Sequence, residues 1–589
     1  MKPVETKWAK PFADNMPDTT NIHINSQGKQ ANTYGAIVIG SGISGGWAAK
    51  ELCEKGIKTL VLERGRNVEH IKDYPTANLS RWELPHRGNI TAETKRNNPL
   101  ISKAAGYDEA TQHFFVKDED HPYIQEKPFD WIRGYQVGGK SLTWGRACAR
   151  WSPFDFTAPQ RYGYGDGFPI GYDDIKDWYS HVEKFIGVTG NKDGIPSMPD
   201  GEFLPPYELN AVEKHFQKTI KEKFGRHYVP GRWAHITEAK ETFAEQNRSQ
   251  CQNRNLCMRG CPLGGYFSSV SSTLPWANKT GNLTIRPHSV VHSIIYDEQK
   301  QKAVGVRVID ANTKEATEFF ADIIFVNASA LNTNLILLNS TSNRFPNGLG
   351  NDSGVLGKYI CHHNYRASMW GYVDGFEDWY YKESKPVECI MANFRNVEKQ
   401  DTDFVGGYVI YSGASREKFN VNIEPALGAD FKEAMSEPGK WSAYMYMQGE
   451  TIPKENNHVR LSNNQKDQWG IPLLITSVGY DDNDDKMVKD FLEQGKAMME
   501  ASGVKEVHLN ENKQAPGLDI HEMGGCRMGK DPKTSMLNEF NQLHHCKNVF
   551  VTDGACMAST GNQSPSILYM AFTARAVNHA VEEMKKGNL

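Results

Sequence analysis

The sequence predicts an α/β protein in which a parallel-sheet domain is interrupted by an inserted α+β domain built on an antiparallel sheet. Three observations carry this. Residues 36 to 65, AIVIGSGISGGWAAKELCEKGIKTLVLERG, read as strand, glycine loop, helix and strand. The C-terminal segment reads NVFVTDGA, a loop, then PSILYMAFTARAVNHAVEEMKK, a strand followed by a long helix. Between them, residues 365 to 480 alternate aromatic, strand-like runs with loops.

Residues 1–33 are a polar arm with no apolar h-region and no twin arginine, so no signal peptide is expected. The first strand follows, with Ile37, Val38 and Ile39 in an unbroken apolar run that suits burial on both faces. Gly40, Gly42 and Gly45 then stand in G-x-G-x-x-G spacing. A helix runs to a stop at Gly56, and the run Thr59 to Leu62 ends in Glu63. This is a Rossmann-like dinucleotide fingerprint. The glycines let backbone approach a pyrophosphate at a helix N-terminus, and the acid is placed for a ribose hydroxyl. A glycine-rich turn that binds nothing is the plainer reading. Both strands, the helix and the acid in register favour the dinucleotide, without separating FAD from NAD.

Further along, VGGKSLTWGR (137–146) is a second glycine-dense stretch. Residues 171–188 and 207–224 read as helices, 283–329 as a meander of strands, 330–340 as a helix and 482–502 as an amphipathic helix. Trp370, Trp379, Tyr380, Tyr381, Trp441, Tyr444, Tyr446 and Trp469 cluster in the inserted part; aromatic faces suit sugar rings, and a sheet core is the plainer use for most. His362 and His363 are adjacent, so on a strand they point apart and do not share a metal.

A net charge of −4 with 23% charged residues gives no sign of a nucleic-acid or anionic-membrane partner. No apolar run reaches membrane-spanning length. Ten cysteines in 589 residues are too few for a disulfide scaffold. Three of them cluster: CQNRNLCMRGCP gives Cys251, Cys257 and Cys261 in C-x5-C-x3-C-P spacing. Such thiols are ligands for an iron–sulfur cluster or zinc, or a purely structural group. Zinc wants a fourth ligand, and the nearest histidine in sequence is His235.

Five stretches in order then resemble the glucose-methanol-choline (GMC) oxidoreductases: the fingerprint, VGGKSLTWGR, NASALNTNLILLNS (327–340), HEMGGCRMG (521–529) and VFVTDGACMASTGNQSPSILYMAFTARA (549–576). Within the family the chain is most similar to the bacterial branch of glucoside 3-dehydrogenases and gluconate 2-dehydrogenase flavoprotein subunits. The resemblance implies FAD, a Rossmann-like FAD-binding domain and a substrate domain. It divides the chain into FAD-binding parts at 34–155, 266–358 and 513–589, a mainly helical part at 156–250, a cysteine segment at 251–265 and a substrate-binding domain at 359–512. His521 is the implied base for the substrate hydroxyl, against the alternative of a histidine satisfied within the core. The family places a His or Asn before the last helix, commonly in an Asn-Pro pair. Here Ser564 precedes Pro565 and Asn562 lies two residues earlier, so either Asn562 takes that role or Ser564 fills it; Asn562 is the expected partner of His521, with Ser564 capping the helix. That helix would turn its positive end to the flavin.

The implied cofactor contacts are Gly40, Gly42, Gly45, Glu63, Gly138, Gly139, Ser141, Thr143, Val291, Asp553, Gly554 and Pro565. Relatives that tether FAD covalently use a histidine where this chain has Thr143, so non-covalent FAD is expected. The branch carries a three-cysteine motif for a [3Fe–4S] cluster, a small accessory subunit and a cytochrome c acceptor, which implies a dehydrogenase acting on a sugar or glycoside, with C3 of a glucoside preferred. It implies periplasmic export on a partner's signal, with the cytoplasm as the alternative. The rival readings are an oxygen-using oxidase of the same fold and a flavin electron-transfer subunit with no substrate of its own.

Overall fold

The computed structural model describes residues 32–378, 385–416, 427–436 and 439–589. Most of the polar arm, and Trp379, Tyr380 and Tyr381 of the aromatic group, lie outside the described residues.

An eight-stranded sheet forms the first layer. Its spine is parallel: Cys546–Val551, Ala316–Val326, Thr33–Ile39, Thr59–Leu62 and Leu283–Arg286 lie side by side in that order. The apolar run of the first strand is explained by what it touches. Ala36 and Val38 face one core with the helix Ile43–Glu54 and the C-terminal helix Ser566–Lys585, through Ala48, Leu52, Val577 and Val581. Ile37 and Ile39 face the opposite core with Leu331, Leu335 and Leu337 of the helix Ala330–Asn339. Both faces are covered, so both sets of alternating side chains are apolar.

The meander expected over 283–329 is only partly a meander. Leu283–Arg286 pairs in parallel with Thr59–Leu62, while Ser289–Asp297, Lys302–Asp310 and Ala316–Val326 form the antiparallel run. A short strand gives no periodicity that separates the two pairings.

The second layer is a six-stranded antiparallel sheet, in the order Val504–Glu511, Ala367–Val373, Trp441–Gly449, Tyr408–Arg416, Cys389–Met391 and Tyr228–Pro230. One face carries Met369, Ile410, Met445 and Met447 into a core with Val212, Phe216, Met487, Phe491 and Met498 of the helices Ala211–Phe224 and Asp482–Ala501. Strand alternation therefore turns Tyr444, Tyr446 and Gln448 to the other face. A two-stranded ladder, Met523–Gly525 against Lys358–Cys361, joins the C-terminal segment to the root of this sheet.

Candidate active site

The C-terminal ends of the parallel strands open onto one crevice, the position where sheets of this type bind ligands. The loops after Thr33–Ile39, Thr59–Leu62, Ala316–Val326 and Cys546–Val551 all line the same cavity, of about 1140 Å³. Gly40 has φ +95°, and a Cβ there would lie 2.3 Å from the Asn327 carbonyl oxygen; at Gly45 it would lie 1.9 Å from that of Gly40. Glycine is thus required at both, at Gly40 to turn the loop and at Gly45 to seat the helix on the strand. The helix behind them has no side-chain cap and no acid in its first turn, so its leading N–H groups remain for an anion.

Glu63 is buried at the cavity wall, accepting from the Ser41 hydroxyl and, at 3.2 and 3.0 Å, from the backbone N–H groups of Ser41 and Gly65. Ser41 also accepts from the Gly138 N–H at 3.0 Å, tying the two glycine loops together. Gly139, Ser141, Thr143, Val291, Asp553, Gly554, Ser564, Pro565 and His521 line the cavity with Gly40, Gly42 and Glu63. Gly45 and Gly138 stand behind it as packing positions. Asp553 accepts from Thr333 Oγ1 at 2.6 Å and from the Ala555 N–H at 2.9 Å, and burial pushes its carboxyl up to about 6.

The residues present fit FAD. The cavity exceeds the roughly 300–1,000 Å³ of ordinary small-molecule sites, as a cofactor together with a substrate requires. Buried polar atoms on its wall lack protein partners: Arg64 Nε, Asn327 Nδ2, Glu522 Oε1 and Tyr569 Oη. Such groups are costly without a ligand to satisfy them. The N-terminus of Ser566–Lys585, also without a side-chain cap, opens on the same cavity through Ser564, Pro565 and Ser566.

His521 sits where the nucleotide crevice meets the inserted domain. Its Nδ1 lies 2.8 Å from Nδ1 of His363, and Nε2 of His363 lies 3.0 Å from the carbonyl oxygen of Gly561. The ladder that pairs Met523 with Cys361 brings these two histidines together. Asp519 fixes both backbones: its Oδ2 accepts from the N–H of His363 at 2.9 Å and of His521 at 3.3 Å. Burial above all, with Lys140 adding to it, holds His521 well below the ordinary histidine range, so its ring is neutral near pH 7 and able to accept a proton.

Two expectations for the neighbouring loop are corrected. Asn562 does not face His521; its Nδ2 donates to Asp155 Oδ1 at 3.0 Å and Glu450 Oε1 at 3.2 Å, behind the cavity. Two buried carboxyl groups hold the amide more strongly than one neutral imidazole could. Ser564 does not cap the last helix, because its hydroxyl is directed to Gln448 Oε1 at 3.2 Å and the helix starts at Ser566. The polar partner of His521 is therefore His363, which only the tertiary ladder delivers.

The far end of the cavity is a tyrosine wall. Tyr446 stacks with Tyr411 at a centroid distance of 5.3 Å, with Tyr365 at 6.0 Å and with Tyr444 at 6.4 Å. Glu388, from the strand edge beside them, accepts from Tyr444 Oη at 2.9 Å and Tyr446 Oη at 2.6 Å. Gln448 Nε2 donates to the Asn562 carbonyl at 2.8 Å, which fixes the amide orientation, and its Oε1 accepts from Tyr365 and Ser564. Tyr411 then donates to Ser564 Oγ, at 3.2 Å. All four phenol hydrogens are directed into the protein, so the wall offers acceptors to whatever enters. Arg146, Asn255, Ser368 and Gln514 bring donors to the same cavity. Of the other aromatics singled out in the sequence, Trp441 is sheet core, Trp370 stacks on His508 at the surface, and Trp469 packs against Arg64.

The cysteine segment borders this cavity, since Asn255 and Met258 line it. Cys251, Cys257 and Cys261 are part-exposed free thiols. Burial pushes the Cys257 thiol up, Arg146 opposes that, and Cys251 and Cys261 raise it further, so the three share one electrostatic neighbourhood. Donor type and number suit a three-ligand cluster. Convergence does not: among the described residues no three His, Cys, Asp or Glu side chains are gathered as a metal-holding set.

A family model described as GMC oxidoreductase matches residues 34–364, and a second with the same description matches residues 453–573. The chain is similar to the fructose dehydrogenase large subunit of Gluconobacter japonicus, 24% identical over 94% of this chain and 98% of that one. It is similar to 2-methyl-1,2-propanediol dehydrogenase of Mycolicibacterium austroafricanum, 25% identical over 93% and 95%. Its fold resembles that of a formate oxidase variant from Aspergillus oryzae, with TM-score 0.60 at 12% identity over 94% of this chain and 99% of that one.

Proposed function

The chain belongs to the GMC oxidoreductase family, and from that premise we propose that it is a dehydrogenase oxidising a ring hydroxyl of a sugar or glycoside, with C3 of a glucoside the preferred carbon. FAD dependence and action on CH–OH groups are those of the family. Dehydrogenation rather than oxygen use, the sugar and the carbon are the parts proposed.

The observation that carries it is the place of His521, a neutral imidazole between the dinucleotide crevice and a wall of hydrogen-bond acceptors. When bound, FAD supplies the hydride acceptor. The protein does the rest. The tyrosine wall with Glu388 receives hydroxyl hydrogens of the substrate and stacks on its C–H face. His521 takes the proton of the hydroxyl being oxidised. Thr143, which cannot form the histidine linkage, leaves FAD non-covalently held. The helix N-terminus at Ser566 favours negative charge at the flavin end of the cavity.

Cys251, Cys257 and Cys261 are assigned a [3Fe–4S] cluster in this reading. Support comes from three thiols in one neighbourhood at the cavity edge, beside the cation of Arg146; the thiols must converge to hold it. A bound cluster would offer one-electron exchange with a protein acceptor. A small accessory subunit and a cytochrome c are the proposed partners, in keeping with a relative described as a large subunit, and export on the partner's signal is the proposed route to the periplasm.

The test is an anaerobic visible spectrum of the purified protein, with iron and labile sulfide assayed on the same sample, before and after methyl glucoside and fructose. Flavin bands, iron and bleaching by sugar are expected. Flavin without iron would remove the cluster and favour the oxidase, which peroxide production in air then identifies. Both cofactors without bleaching would overturn the sugar-dehydrogenase reading in favour of an electron-transfer subunit.

A further inference from the structure

We infer that His363 is a positioning residue that sets the tautomer of His521, holding hydrogen on its Nδ1 and leaving the Nε2 lone pair as the base. The inference rests on the reading of His521 as the base and follows from a chain of forced donors. The Gly561 carbonyl only accepts, so the His363 nitrogen 3.0 Å away, Nε2, carries the hydrogen. A neutral His363 then has a lone pair on Nδ1. That lone pair lies 2.8 Å from His521 Nδ1, a separation at which one nitrogen must donate. His521 Nδ1 is therefore protonated, and a neutral His521 has its lone pair on Nε2. The carbonyl of Gly561 thus decides, through two rings, which nitrogen of His521 can take a proton.

Several features hold this arrangement. His363 is fully buried, and burial pushes it down to about 3, so it stays neutral. The ring planes are inclined at 79° with centroids 5.0 Å apart, and the two rings approach through their Nδ1 atoms. Asp519 ties both backbones, and the Tyr365 ring lies 6.0 Å from that of His521. When His521 Nε2 gains the substrate proton, the Nδ1–H bond to His363 becomes charge-assisted and strengthens as the positive charge develops. Nothing else is consumed: the O–H bond of the substrate breaks and the Nε2–H bond forms.

The test uses the FAD-loaded enzyme with 15N-labelled histidine. The two nitrogens of His521, assigned by their loss in His521→Ala, should give a pyrrole-like Nδ1 and a pyridine-like Nε2. The reverse assignment in the wild-type protein would overturn the inference, whatever the substrate. Flavin reduction by methyl glucoside is then compared in His363→Phe, which cannot accept, and His363→Asn, whose Oδ1 can. Reduction should slow by about a hundredfold or more in His363→Phe with substrate affinity little changed, and return to within about tenfold of wild type in His363→Asn. Equal rates in wild type and His363→Phe, or equal slowing in both variants, would overturn it. Absence of bleaching in the wild type is a failure of the sugar reading instead, and the nitrogen spectrum still decides the tautomer. Should His363→Phe not fold, the wild-type spectrum and His363→Asn suffice.

Discussion

His521 is held neutral chiefly by burial, so on the proposed reading the base is ready across the physiological range. Its folded-state value lies below the unfolded one, so protonation inactivates only as pH falls well under 6.5. The rate of flavin reduction should show no inflection between pH 8 and 6.5, and an inflection at the ordinary histidine value would assign the base elsewhere. His521→Ala should slow reduction by about a thousandfold while FAD stays bound, read from the retained flavin spectrum and an anaerobic stopped-flow trace. On the tyrosine wall, Tyr446→Phe removes one of the two phenols on Glu388. KM should rise by about five- to twentyfold with kcat changed less, because the loss falls on binding rather than on proton transfer. Replacing a contacting sugar hydroxyl with fluorine, which accepts but cannot donate, should produce a similar loss. At this scale the sequence pointed to His521 through its motif, and missed His363, Glu388 and Gln448, since each matters only for what the fold sets beside it.

Among the elements, the glycine loop and its helix are the part most directly written in the sequence. The reason is local: the constraint at Gly45 comes from Gly40, on the same turn. Gly45→Ala places a methyl against a carbonyl that the strand fixes, and neither the strand nor the helix can move away. A loss of at least about 3 kcal/mol and of FAD binding is expected, measured by thermal unfolding and by flavin retained after desalting. The loop from 560 to 565 shows the opposite case. Its residues favour a cap, and Ser564 before Pro565 satisfies every local rule. Gln448, on a strand of the other sheet, competes for the same hydroxyl and wins because burial leaves it no water to bond instead. The antiparallel sheet was legible as alternation, but not which face would meet the cavity. That depends on the helices Ala211–Phe224 and Asp482–Ala501 covering the methionine side.

Across the whole molecule, Asn562 joins three distant parts. Asp155 comes from the helix Pro153–Tyr162, Glu450 follows the strand Trp441–Gly449, and the amide bridges their carboxyl groups. Burial pushes Asp155 up to about 6 and Glu450 up to about 7, with Asp155 raising Glu450 further. Both folded values exceed the unfolded ones, so the folded protein binds these protons more tightly. The stability they contribute is complete below about pH 4 and is lost as pH rises through 6 and 7. Tm should therefore fall from pH 5 to pH 8, and Glu450→Gln should flatten that fall; an unchanged slope would remove the pair as its source. The sequence by itself determined the nucleotide crevice, the family and its oxidation chemistry, and pointed to His521 as the candidate base, because those rest on short motifs whose geometry is set by neighbouring residues. Only the tertiary structure decided the partner of that histidine, the direction of each hydrogen bond in the tyrosine wall and the structural use of Asn562. Those follow from side chains far apart in the chain competing for the same buried polar atoms, and that competition is settled by packing rather than by local pattern.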